Sequence, residues 1–125
     1  MTRRPTPRVA ALTQGTFFIA SGLWPILDIE SFQRVTGRKR DRWLVKTMGG
    51  LIAVVGGVLL HGAVSKTAPP SKLLAVGSAA ALGLSDVIYA TRGVISKVYL
   101  ADAAAEAALI ALWMAASRDA RRPNA

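Results

Sequence analysis

The sequence predicts an all-α fold: an integral membrane four-helix up-down-up-down bundle, with a short interfacial amphipathic helix between spans 1 and 2. Three observations carry this expectation. Hydrophobic residues make up 52% of the 125 residues, and mean hydropathy is +0.37, a balance that soluble domains of this length rarely reach. The apolar residues come in four long blocks, not in a period-2 or period-3.6 stripe, which is the signature of membrane spans. Each block runs about 18 to 22 residues, enough at ~1.5 Å per residue to cross a ~30 Å hydrocarbon core.

Residues 1–8 are polar and basic and are expected to form a disordered tail. One four-span domain follows over 9–117, with spans at about 9–27, 43–64, 73–90 and 99–117. A basic C-terminal tail occupies 118–125. Span 1 has the basic start of a signal peptide. It is long, no A-x-A cleavage site follows it, and three more spans lie downstream, so it is expected to stay uncleaved. Between spans 1 and 2, Ile26, Ile29, Phe32 and Val35 recur every three residues, with Asp28, Glu30, Gln33 and Arg34 between them. Pro25 suits a helix start and Gly37 the position past its end. A short helix lying at the membrane surface is therefore expected there. The other connections, around SKTAPPSK and TRGVISK, are short, and short connections make successive helices antiparallel.

The net charge is +9. The basic residues fall in MTRRPTPR, GRKRDR, SKTAPPSK and SRDARR, between the apolar blocks, with no aromatic ladder to stack bases. The expected partner is the lipid bilayer, with no nucleic acid. The sixteen basic residues divide evenly between the two sides of a four-span bundle. Arg3, Arg4 and Arg8 precede the span that usually dominates orientation, which favours cytoplasmic termini. There is no cysteine and one histidine, His61, so neither a metal site nor a cofactor is expected. No nucleophile motif, metal set or phosphate loop is present, so no catalytic residue is assigned and an enzyme is not expected.

In an antiparallel bundle, the end of span 1, the start of span 2, the end of span 3 and the start of span 4 share one membrane face. Those ends hold most of the polar residues. The candidate ligand cluster is Lys46, Asp86, Tyr89, Arg92, Tyr99, Asp102 and Glu106. Trp24, Trp43, Asp28 and Glu30 are assigned to the interface, as is Trp113 at the opposite end. If Tyr99 marks the interface, Glu106 lies ~10 Å inside span 4 and Asp102 ~4–5 Å. An acid near a span centre costs ~2.5–3.5 kcal/mol to insert, so both carboxyls should face the bundle interior. Lys46 is the expected partner of Asp102 or Glu106. Its face continues through Gly49, Gly50, Ala53 and Gly57, small enough to admit the alanines of span 4. Gln14, with Thr13, Thr16 and Ser21 near it, is expected to hydrogen-bond between helices.

The runs GLWPILDIESFQRVTGRKRDRWLVKTMGG and SDVIYATRGVISKVYLADAAAE resemble a group of small four-helix bacterial inner-membrane proteins of unknown function. Trp24, Pro25, Ser31, Phe32, Thr36, Gly37, Asp41, Trp43, Asp86, Tyr89, Tyr99, Asp102 and Glu106 carry the resemblance. It implies a multi-pass protein of the bacterial inner (plasma) membrane and supplies no activity. The expected function is a small integral membrane protein whose one-sided intramembrane polar cluster binds or moves a small ligand, lipid or proton. The alternative is an accessory or assembly subunit of a larger membrane complex, or a homo-oligomer, with no activity of its own.

Overall fold

The structure is a computed structural model and describes residues 5–67 and 69–121, with side chains through residue 116. The outer parts of both expected tails, 1–4 and 122–125, lie outside the described residues. Five helices follow one another: α1 Pro7–Leu27, α2 Ile29–Thr36, α3 Arg42–Val64, α4 Lys72–Thr91 and α5 Tyr99–Arg121. There is no strand among the described residues. α1, α3, α4 and α5 are each long and apolar enough to cross a membrane, the build of a multi-pass membrane protein.

The helix ends follow local chemistry. Thr6 caps α1 by accepting from the Val9 N–H at 3.2 Å, with Pro7 in the first turn. The helix therefore starts inside the stretch expected to be tail. Pro25 does not start the short helix, as expected from sequence; it sits buried in the last turn of α1. Lacking an N–H, it leaves the Ser21 carbonyl without its helical donor. The break comes three residues later. Asp28 closes α1 through its N–H on the Trp24 carbonyl, and its side chain caps α2 by accepting from the Ser31 N–H at 3.2 Å. Gly37 ends α2 at φ +98°, where a side chain would be strained.

α1 packs most closely on α3, and α4 on α5, while α3 and α4 touch at few points. The α1–α3 seam is backbone on backbone. A Cβ built on Gly15 would lie 2.8 Å from the Gly56 carbonyl oxygen, and one on Gly56 would lie 2.7 Å from that of Gly15. Gly22 and Gly49 approach each other more closely still. These two pairs fix α1 and α3 as antiparallel. They also correct the expected glycine face: the glycines of α3 admit α1, not α5. Gly57, placed on the same expected face, meets nothing within 4 Å.

The core sits at one end of the bundle, where Ala10, Ala11, Leu59, Ala63, Ala75, Trp113 and Ala116 pack together. Gln14 ties this end. Its Nε2 donates to the Ala75 carbonyl at 2.9 Å, and Trp113 Nε1 donates to its Oε1 at 2.7 Å. Gln14 thus links α1, α4 and α5. Thr13 and Ser21 instead donate to carbonyls one turn back in α1. Trp113 corrects an expectation as well. It is 1% exposed, because α5 runs on to Arg121 and leaves this residue two turns inside the helix.

Candidate functional site

Toward the other end, the helices line a cavity of about 390 Å³. Phe17, Ser21 and Trp24, at positions i, i+4 and i+7, line it from α1. Leu82 and Asp86, one turn apart, line it from α4. Tyr99, Asp102 and Glu106 line it from α5, with Ala101 and Ala105 between them. The 3.6-residue period places each set on one stripe.

α2 covers the cavity, with Phe32, Val35 and Thr36 among its lining. Its first turn is held by Trp24, whose Nε1 donates to Ser31 Oγ at 2.8 Å. The Trp24 ring also meets Phe32 edge-on, with centroids 5.2 Å apart. Beyond its C-terminus, the Lys39 N–H donates to Gln33 Oε1 at 2.8 Å, and Nζ donates to the Thr36 carbonyl at 3.1 Å. The same ammonium lies 4.6 Å from the Tyr99 ring centre and 5.9 Å from that of Phe32. Lys39 therefore joins α2 to the start of α5.

The carboxyls are the unusual part. Glu106 is 1% exposed, and neither of its oxygens has a hydrogen-bond partner among the described residues. Asp86 is buried, with Oδ2 likewise unmatched. Asp86 and Asp102 face each other across α4 and α5 within hydrogen-bonding reach. Gly83 lets α4 come close to α5 at Glu106, since a Cβ there would lie 3.3 Å from that of Glu106. No Lys, Arg or His lines the cavity among the described residues. Buried polar groups are ordinarily hydrogen-bonded, and buried charges are ordinarily paired. This arrangement can hold protons or stand as counter-charge to a cation. Ser21, the hydroxyl nearest in kind to a nucleophile, spends its proton on the Phe17 carbonyl.

The structure brings Trp24, Asp86, Tyr99, Asp102 and Glu106 of the expected residues to this cavity. Lys46 is exposed, one turn from the start of α3, and pairs with neither Asp102 nor Glu106. That expectation is corrected: a lysine at this exposed position has the reach to leave the bundle. Tyr89 and Arg92 are also exposed and outside the cavity, Arg92 as the C-cap of α4. Trp43 is 69% exposed. Glu30 pairs with Arg42 at 3.1 Å on the surface. Asp28 is committed to the α2 cap, and the Ser31 N–H on its carboxylate holds it below the usual carboxylate range.

Sequence reasoning missed Phe17, Phe18 and Ile52, which read as ordinary span residues, and Phe32 and Thr36, assigned only to a surface helix. The stripe Phe17–Ser21–Trp24 was the available signal, since it puts a hydroxyl and two rings on one face of span 1. Comparison of the chain with protein-family models, with curated proteins and with solved structures finds no match.

Proposed function

We propose that this small integral membrane protein binds a small ligand in the acid-bearing cavity beneath α2. The observation that carries the reading is Glu106, buried in the wall of a cavity of about 390 Å³ with neither carboxyl oxygen matched among the described residues. A carboxyl inside a span costs insertion energy that no hydrogen bond among the described residues offsets, and a ligand that enters and meets it would offset that cost. The volume falls within the ~300–1,000 Å³ of small-molecule sites. The bilayer supplies the surroundings. Leu44, Leu51, Val54 and Val58 are exposed along α3 and suit acyl chains. A bacterial inner membrane is the proposed location, with both termini cytoplasmic, supported by Arg3, Arg4 and Arg8 ahead of span 1.

The test is reaction of the detergent-purified protein with dicyclohexylcarbodiimide, an apolar reagent for carboxyl groups, followed by peptide mass mapping. The expected result is modification at Glu106 in the folded protein, lost in Glu106→Gln. If the native protein is inert and reacts only after unfolding, the cavity is closed and the carboxyls belong to the packing.

A further inference from the structure

We infer that the ligand is a compact organic cation, an ammonium carrying apolar groups, held between the carboxyls of α4 and α5 and the rings beneath α2. This rests on the ligand-binding reading above and adds the chemical class.

The sign of the cavity comes first. The chain carries +9 overall and only seven acids, yet three of them, Asp86, Asp102 and Glu106, line this one space with no basic residue among its described lining. An anion would meet three carboxyls there and no cationic side chain among the described lining. A neutral lipid tail would leave the oxygens of Glu106 as unmatched as they already are. A hydrated or liganded metal ion needs several converging oxygens, and no three acids or histidines among the described residues are grouped so as to hold one. A bare proton needs no such volume.

The walls make the second half of the match. Trp24, Phe32 and Tyr99 border the cavity, and aromatic faces attract cations within ~6 Å of the ring centre. Two of these rings already do so: the Lys39 ammonium stands 4.6 Å from Tyr99 and 5.9 Å from Phe32. A ligand cation would use the same kind of contact from the inner side, with its apolar groups against the aliphatic lining and its charge toward Glu106. The ring-and-carboxylate pairing is the general solution for ammonium ligands that must leave water.

The experiment uses full-length protein in neutral detergent, with benzyltrimethylammonium and the larger tetraphenylphosphonium as probes. Neopentylbenzene serves as the uncharged isostere of the first and benzenesulfonate as an anion. Binding is read as protection of Glu106 from dicyclohexylcarbodiimide and as a rise in melting temperature. At least one cation is expected to protect, while the isostere and the anion do not. Glu106→Gln should weaken the melting-temperature response roughly tenfold in probe concentration, and Trp24→Leu several-fold, the scale of a lost charged or cation–π contact. If Glu106 reacts with the carbodiimide and neither cation protects it, the inference is overturned and the ligand-binding reading stands. Equal protection by neopentylbenzene, with a melting-temperature rise undiminished in Glu106→Gln, has the same meaning. If Glu106 does not react at all in the folded protein, both fall together.

Discussion

Gln14 and Glu106 are buried to the same degree, 0% and 1% exposed, on opposite ends of one bundle. Gln14 has its oxygen matched by Trp113 and its nitrogen by Ala75. Glu106 has neither oxygen matched. Depth is therefore a poor guide to what a polar residue inside a span is for, and the completeness of its hydrogen bonds is a better one. A satisfied amide fixes which helices touch and in what register. An unsatisfied carboxyl adds only a desolvation cost to the fold. One end of the molecule is a packed, fully bonded core, and the other holds buried carboxyls without partners among the described residues.

The contrast can be broken by substitution. Trp113→Ala should have the largest effect, about 3–5 kcal/mol of destabilisation, from the void left in the core and the lost bond to Gln14. Melting in detergent and titration with a denaturing detergent would read it. Gln14→Leu keeps the volume but strands the Trp113 N–H, and should cost about 1–3 kcal/mol. Glu106→Leu should leave the melting point unchanged or raise it, since no bond is broken and a desolvated polar group is removed. An equal loss for Gln14→Leu and Glu106→Leu would erase the distinction between the two ends.

The smallest effect is expected at the cover. Asp28 titrates below the ordinary carboxylate range because its charged form accepts from the Ser31 N–H. Its contribution is therefore complete above the unfolded carboxylate value and is lost as pH falls through the lowered folded one. Amide hydrogen exchange should show the first turn of α2 opening at acid pH, while the α1–α3 seam stays protected. In Asp28→Ala, that turn should exchange quickly at every pH.

Hydropathy made the four spans legible, because each helix that faces lipid must be apolar along nearly its whole length. The carboxyls of Asp86, Asp102 and Glu106 were legible for the converse reason: charge inside such a helix has to turn inward. Pairwise choice of neighbours was not legible. A glycine stripe announces that something comes close without naming it, and α3 spends Gly49 and Gly56 on Gly22 and Gly15 of α1. Lys46 misled because a lysine near a helix end has enough reach to leave the bundle, however its backbone is placed. Trp113 misled because the helix outlasts the apolar block that defined the span. Phe32 was read as a residue of a surface helix, and its role as part of the cavity roof depends on contacts with Trp24 and Lys39 that no local pattern encodes.

The glycine seam also has a consequence in time. Its two partners both lie before residue 65, so a chain emerging from its N-terminus can clasp α1 to α3 while α4 and α5 are still being made. Phe17, Phe18 and Trp24 of α1 and Ile52 of α3 are then already on one template. The acid-bearing helices come last in synthesis and meet a surface waiting for them. α5, with two carboxyls and few large aliphatics, is poorly suited to enter a bilayer unaided. It is also the last helix made, after the α1–α3 clasp beside which it packs can already have formed.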